Sequence, residues 1–184
     1  MYYLGVDQSL REPGVAIVAP DGRVVVATST RVGETLRGGE RLAAIRNFLL
    51  QVVGDLSVAF AALEGPSLKS THREFDLGEV SGVVRAAIYH SWSVEPLVVA
   101  PAQLKLYATG RSGAEKAEII YAVKGWGFVT DNDNVADAVV LAHIARSVHQ
   151  EVRCATRHQQ DVVVGLRNPK APTKRLRRKS ATNI

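Results

Sequence analysis

The sequence predicts an α/β domain built on a mixed five-stranded sheet flanked by helices. Three short apolar runs separated by turn-forming residues fill residues 2–29, a pattern typical of an antiparallel meander. Two later apolar runs alternate with helical patterns, which favours strands added in parallel to the same sheet. A chain of 184 residues with 46% apolar composition suffices for one such domain with a proper core.

The five strands are recognised by their apolar runs and flanking residues. The first three are YYLGVD, GVAIVAP and RVVVATST, with the turn sequence PDG between the second and the third. The fourth, VAFAALE, is apolar until its last residue and is therefore expected in the centre of the sheet, covered on both faces. The fifth, VEPLVVA, contains Pro96, which favours an edge position or a late start.

Helical spacing of apolar residues predicts the other elements. GGERLAAIRNFLLQVVGDL and FDLGEVSGVVRAAIYHSW are the first two helices, and Gly78 and Gly82 should let the second pack closely against the sheet. PAQLKLYATG predicts a short helix, and SGAEKAEIIYAVKGW a longer one with Ser112 as candidate N-cap. A final core helix should continue from Val135 to about Gln150, since this stretch is apolar nearly all round.

Composition excludes several classes of protein. The single cysteine, Cys154, rules out an internal disulfide. No stretch approaches the roughly 18 uncharged apolar residues of a membrane span. The N-terminal residues also lack the basic and apolar regions of a signal peptide. We expect a soluble protein of the cytoplasm with no membrane partner.

Charge divides the chain into a domain of residues 1–152 and a basic, flexible C-terminal extension of residues 153–184. The extension holds nine of the 23 Lys and Arg side chains and one of the 18 acids, Asp161. A basic tail on a mildly acidic body is typical of nucleic-acid binding, and a solubilising disordered end is the alternative. The densest group of candidate phosphate contacts is Lys174, Arg175, Arg177, Arg178 and Lys179.

Three acids occupy positions where carboxylates need an explanation. Asp7 and Glu64 each end an apolar strand, and the carboxyl ends of parallel neighbouring strands meet at one edge of a sheet. Asp137 lies inside the apolar helix, where an unpaired carboxylate costs roughly several kcal/mol. Asp133 and Asn134 precede it by four and three residues, which places them on the same helix face.

These oxygen-bearing side chains predict a metal site. Carboxylates that converge without basic partners repel one another unless cations lie among them, and Mg²⁺ prefers oxygen ligands. Two such ions can activate a water and stabilise the leaving oxygen of a phosphodiester. The alternatives are a turn or capping role for Asp7, a solvated Glu64, and an N-cap role for Asp133.

Five segments resemble the RuvC family of Holliday junction resolvases, within the RNase H-like superfamily. They are LGVDQSLREPGVAIV, AALEGP, LGEVSGVVRAA, PAQLKLYATGRSGAEKAEI and DNVADAVVLAHIA, which together cover about residues 2–146. Within the fourth of these segments, four residues have spacings similar to the family's: Gln103, Lys105, Gly110 and Lys116. The resemblance implies an RNase H-like nuclease domain, a homodimer, and paired nicks across a four-way DNA junction using two Mg²⁺ ions, with Mn²⁺ as a substitute.

The resemblance also implies roles for individual residues. Asp7, Glu64 and Asp137 match the family's metal-binding acids. Members often carry an acid or histidine three residues before the last Asp, where this chain has Asn134. Asp133 is preferred as the fourth ligand because a carboxylate holds Mg²⁺, and Asn134 remains the alternative.

The basic residues near the implied site are assigned in the same way. Lys105 and Lys116 match lysines near the family's active site, where an ammonium can hold the scissile phosphate, and a solvated helix face is the alternative. Family members carry a stacking aromatic residue after the glutamate, but this chain has Ser67 and Leu68 there. Junction opening would then use Leu68 as an apolar wedge or phosphate contacts from Lys69, His72 and Arg73.

Two other functions are compatible with parts of the sequence. A junction- or nucleic-acid-binding module would retain the basic tail but would have lost cleavage through the change to Asn134. An actin-like ATPase or kinase is suggested by GVDQS, but it requires a second phosphate-binding Asp-Gly loop and about twice this length. The small size and basic tail are compatible with a phage-encoded resolvase acting in the host cytoplasm.

Overall fold

The computed structural model describes residues 1–65, 74–151 and 154–168 as a sheet with helices on both faces. The strands are β1 (Tyr2–Asp7), β2 (Gly14–Val18), β3 (Val24–Ser29), β4 (Val58–Glu64) and β5 (Leu97–Val99). The helices are α1 (Gly38–Val53), α2 (Glu74–Trp92), α3 (Pro101–Thr109), α4 (Lys116–Gly125), α5 (Asp133–Gln150) and α6 (Arg157–Arg167).

The sheet is mixed and has the strand order β3-β2-β1-β4-β5. The first three strands form an antiparallel meander, and β4 and β5 are added in parallel. The predicted mixed five-stranded sheet is therefore confirmed, as is the edge position of the strand that follows Pro96. One face packs against α1 and α2, and the other packs against α5, which is surrounded by α3, α4 and α6.

Two glycines let α5 lie directly on the strands. A Cβ atom at Gly5 would be 2.1 Å from the carbonyl oxygen of Ala138, and one at Gly14 would be 2.2 Å from the carbonyl oxygen of Asn134. Real Cβ atoms do not approach backbone so closely, so any side chain at either position would push the helix away. This contact fixes the distance of α5 from β1 and β2, next to the strand end that carries Asp7.

The structure corrects two details of the predicted helices. The N-cap of α4 is Glu115 rather than Ser112, and the Glu118 carboxylate accepts a hydrogen bond from the Glu115 backbone N–H at 2.8 Å. Gly78 and Gly82 do not serve close packing on the sheet, because a Cβ atom at either position would meet nothing within 4 Å. They lie on the outer face of α2.

Part of the predicted flexible extension is a helix. Thr156 caps α6 by accepting a hydrogen bond from the Gln159 backbone N–H, and Val162 and Val163 are buried in the core beside α3 and α5. The apolar stripe of α6 is short and lies among polar residues, in a segment of the chain that is rich in Lys and Arg. The remaining basic residues at 169–184 lie outside the described residues.

Within residues 1–65, 74–151 and 154–168, no helix is both long and apolar enough to cross a bilayer.

Candidate active site

Two acids meet at the edge where β1 and β4 end. These strands run in parallel with Val6 opposite Leu63, so the next residues, Asp7 and Glu64, emerge side by side. Their side chains share a hydrogen bond. The Gln8 side chain also donates to the Glu64 carbonyl oxygen at 3.3 Å, which ties the two strand ends together.

Burial makes this pair of acids hard to ionise. Desolvation, followed by repulsion from Glu64 and Asp137, raises the pKa of Asp7 well above its ordinary value. Desolvation also raises the pKa of Glu64, although the hydrogen bond from Asp7 and the positive charges of Lys105 and Lys116 oppose that rise. Burial and repulsion therefore disfavour a second negative charge on this pair of carboxyl groups.

Asp137 approaches the same edge from α5. Burial, with repulsion from Glu64 and Asp133, raises the pKa of Asp137 from 3.8 to about 7. Its buried Oδ1 atom has no hydrogen-bond partner among the residues that the structure describes. A buried carboxylate oxygen with neither a basic nor an amide partner is unusual, because an unsatisfied buried acceptor destabilises the fold.

Two lysines border the acids. The Lys116 ammonium, on a largely exposed side chain at the start of α4, forms an ion pair with Asp133 at the start of α5. This hydrogen bond, with attraction from the other acids, raises the pKa of Lys116. Lys105, on the half-buried face of α3, lies near enough to Glu64 and Asp137 to lower the pKa of each. Both lysines therefore lie beside the acidic edge, the end of β1 and β4 that carries Asp7 and Glu64.

The two candidate fourth ligands, Asp133 and Asn134, lie at the start of α5. Asn132 is the N-cap, since its side-chain oxygen accepts a hydrogen bond from the Val135 backbone N–H at 3.1 Å, so Asp133 is not the cap. Repulsion from Asp133 contributes to the raised pKa of both Asp7 and Asp137. Asn134 contacts β2 through its backbone carbonyl at Gly14. Asp133 therefore lies close to the other acids, while the backbone of Asn134 packs on the sheet.

Other residues that match the family's spacing have structural contacts here. The Gln103 side chain accepts a hydrogen bond from the Ala100 backbone N–H at 3.0 Å and so closes the first turn of α3. Gly110 ends that helix with a φ of 80°, a left-handed conformation that favours glycine, and lies against the His158 ring. The predicted DNA contacts Lys69, His72, Arg73, Lys174, Arg175, Arg177, Arg178 and Lys179, and the candidate wedge Leu68, lie outside the described residues.

The donor set fits a hard divalent cation. It consists of carboxylate oxygens, one of which is buried without a partner, and burial and mutual repulsion disfavour its charged form. Within residues 1–65, 74–151 and 154–168, however, no three His, Cys, Asp or Glu side chains form a ready-made metal-binding group. The Asp7–Glu64 hydrogen bond and the Lys116–Asp133 pair engage oxygens that an ion would require, so binding would exchange these contacts for metal bonds.

The contribution of Asp137 to the stability of the metal-free protein should fall as the pH rises. Because its pKa is raised to about 7 on folding, Asp137 contributes stability in full below about pH 4, and this contribution is lost as the pH rises through 7. In EDTA at pH 8, we expect Asp137→Asn to be more stable than the native protein by on the order of 2 kcal/mol, with a smaller difference at pH 5. Thermal unfolding across this range measures the difference, and equal stability at pH 8 would contradict the burial of an uncompensated charge.

The mixed sheet, with acids at the ends of its central strands and on the helix that crosses them, defines an RNase H-like α/β domain. RuvC from Thermus thermophilus has the same fold, with a TM-score of 0.70 and 22% identity over 82% of this chain and 97% of that one. In its complex with a Holliday junction substrate, the TM-score is 0.68, also at 22% identity, over 77% and 90% of the two chains.

Sequence relatives identify the family. The crossover junction endodeoxyribonuclease RuvC of an Anaeromyxobacter species is 32% identical over 156 residues, 79% of this chain and 74% of the relative. The RuvC of Chlorobium phaeovibrioides is 28% identical over 132 residues, 67% of each protein. No protein-family model matches the chain. At this identity and coverage, the chain belongs to the RuvC family of crossover junction endodeoxyribonucleases.

Proposed function

We propose that this protein is a metal-dependent endonuclease that resolves four-way or other branched DNA junctions by paired phosphodiester hydrolysis. The observation that carries the proposal is the meeting of Asp7, Glu64 and Asp137 at one sheet edge, with an Asp137 oxygen that has no partner among the described residues. Membership of the RuvC family and the Holliday junction complex of the T. thermophilus relative support this substrate. A lapsed, non-cleaving binding module is the competing outcome.

The acids would hold two Mg²⁺ ions, with Mn²⁺ as a substitute. Asp7, Glu64 and Asp137 are the proposed ligands, and Asp133 is the proposed fourth ligand. Bound ions would activate the attacking water and stabilise the leaving oxygen of the phosphodiester. Their binding requires the acids to lose their protons, so metal affinity should rise with pH.

The lysines would position the DNA strand. Lys116, which is 74% exposed, presents its ammonium at the rim of the acidic edge, where a phosphate could replace Asp133 as its partner. Asp133 would then be released as a metal ligand. Lys105 lies deeper and would offset negative charge as it develops on the phosphate. Substrate binding and metal binding would therefore support each other through the exchange at Asp133.

Cleavage of an end-labelled four-way junction tests the proposal. The purified protein would be incubated with Mg²⁺, Mn²⁺ or EDTA, beside a linear duplex of matched sequence. We expect paired nicks near the crossover that require metal and are not found on the duplex. Tight junction binding without nicks under either metal would favour the binding module instead, and Asn134→Asp would then be the first variant to test.

The outer face of α2 supports a homodimer. Phe75 and Tyr89, which are 79% and 59% exposed, lie at the two ends of a stripe at helical spacing. Between them, Gly78, Gly82 and the exposed Ala86 form a small-residue surface that a second helix could approach closely. Exposed apolar surface of this kind marks interaction sites, and a two-fold axis would place the same stripe on both subunits.

A charge on this stripe should separate the subunits. Because Gly82 has open space around it, Gly82→Glu should leave the fold intact but place two carboxylates at a symmetric interface. We expect sedimentation to show a dimer for the native protein and a monomer for the variant. Gly165→Glu on α6, another helical glycine with open space, is the matched control. A dimeric Gly82→Glu variant would contradict this interface.

The basic tail should increase DNA affinity through phosphate contacts. Residues 169–184 carry six Lys and Arg side chains and no acid. If all six contact phosphates, deleting this segment should lower the slope of log affinity against log salt by up to about 5. Junction binding by the full-length and shortened proteins at several salt concentrations measures this slope. An unchanged slope would assign the tail to solubility or to a protein partner.

A further inference from the structure

A polar cluster beside the acidic edge connects two other parts of the chain to the start of α5. It consists of Glu12 in the loop between β1 and β2, Ser29 at the end of β3, and the helix cap Asn132. The Asn132 Nδ2 atom donates to the Glu12 Oε1 atom at 2.6 Å and to the Ser29 Oγ atom at 3.2 Å. The Ser29 hydroxyl donates to the same Glu12 oxygen at 3.0 Å.

The cluster is next to the candidate site in the sheet register. Asp7 pairs with Gly14 across β1 and β2, and Gly14 pairs with Ser29 across β2 and β3, so the three form one row at the same edge. The carbonyl of Asn134 lies against Gly14 in this row. The cluster therefore joins the sheet to α5 immediately beside the acids that both elements carry.

The side-chain amide of Asn132 both caps α5 and binds the residues beside the sheet. The Oδ1 atom of Asn132 accepts from the Val135 backbone N–H, which fixes where the helix begins, while its Nδ2 atom is held by the sheet. The hydrogen bonds from Asn132 and Ser29, with the charge of Arg31, lower the pKa of Glu12, so Glu12 accepts these bonds as a carboxylate. A charged acceptor strengthens each of them.

We infer that Glu12, Ser29 and Asn132 are positioning residues, which lock the start and rotation of α5 so that Asp133 and Asp137 face Asp7. This inference rests on the proposed function of the acidic edge. Gly5 and Gly14 set the distance between α5 and the sheet, and the buried residues of α5 restrict its rotation, but neither kind of contact imposes a directional constraint. The hydrogen bonds of Asn132 supply that constraint at the start of the helix, beside Asp133 and one turn before Asp137.

Variants that first break and then reverse the Glu12–Asn132 hydrogen bond test the inference and retain an oxygen that can cap α5. Asn132→Asp retains an oxygen that can cap α5 but places a second carboxylate against Glu12. We expect the Mg²⁺ concentration that half-saturates thermal stabilisation and junction cleavage to rise about tenfold, as for groups that orient metal ligands. In the double variant that combines Asn132→Asp with Glu12→Gln, the new amide can donate to the new carboxylate. Its half-saturation should return to within about threefold of the native value.

The outcomes separate a positioning role from a purely stabilising one. A lower unfolding temperature with unchanged Mg²⁺ half-saturation would mean that the cluster only stabilises the fold, and failure of the double variant to recover would exclude the direct Glu12–Asn132 coupling. Tighter Mg²⁺ binding by both variants would show that the carboxylate introduced at the cap binds the ion itself. Each of these results overturns the inference. A native protein that neither cleaves junctions nor is stabilised by Mg²⁺ would instead overturn the proposed function.

Discussion

Asp137→Asn should abolish junction cleavage while leaving junction binding nearly unchanged. The substitution removes one anionic metal ligand but keeps the size and the remaining oxygen of the side chain. We expect the single-turnover cleavage rate to fall more than about a hundredfold, beyond the 10–100-fold typical of residues that only support metal ligands. Binding should persist because basic side chains that contact phosphates provide most of the affinity for DNA.

Asp131→Asn is the matched control for this loss. It makes the same chemical change on an exposed residue just before α5, outside the cluster of acids. We expect its cleavage rate to stay within about twofold of the native rate, since isolated surface charges contribute little. Cleavage at a native rate by Asp137→Asn, measured with Mg²⁺ and with Mn²⁺, would remove Asp137 from the site.

Gly5→Ala should be strongly destabilising although it adds one methyl group. The new Cβ atom would lie 2.1 Å from the Ala138 carbonyl oxygen and 2.3 Å from the Ala142 nitrogen, and both are backbone atoms of a buried helix. Neither can rotate away, so α5 must move off the sheet and carry Asp137 with it. We expect a loss of at least about 3 kcal/mol in the free energy of unfolding, together with weaker metal-dependent stabilisation.

Urea unfolding compares this variant with Gly165→Ala. Gly165 lies within α6 with open space around it, so alanine there should raise helix propensity and stability by roughly 0.5–1 kcal/mol. The two variants make the same chemical change with opposite expected signs. A Gly5→Ala protein as stable as the native one would show that α5 does not lie as close to β1 as the structure places it.

The elements and the acidic edge could be predicted because their signals are local. Apolar runs locate the strands, and the position of Asp7 and Glu64 at strand ends follows from the parallel pairing of β1 with β4. The buried Asp137 is conspicuous because its neighbours in the sequence are apolar. Within the described residues, the Asp137 Oδ1 atom has no hydrogen-bond partner.

What could not be predicted depends on contacts between distant segments. Gly5 and Gly14 are unremarkable in their strands until α5 packs on them. The role of Glu12 likewise depends on a residue 120 positions away, whereas Asn132 alone carried a usable signal as an asparagine directly before a helix. The packing of α6 could not be predicted because its apolar stripe is short, and which of its residues are buried depends on where the helix meets α3 and α5.

Crystals soaked in Mn²⁺ at about pH 8 test the central claim most directly, because anomalous scattering locates the ion independently of cleavage. We expect strong peaks at the ends of β1 and β4, within about 2.5 Å of carboxylate oxygens of Asp7, Glu64 and Asp137, with the Asp7–Glu64 hydrogen bond broken. Crystals of Asp137→Asn should show weaker peaks or none. Native crystals with no peak at this edge, or with Mn²⁺ bound only elsewhere, would contradict the assignment of these acids as a metal centre.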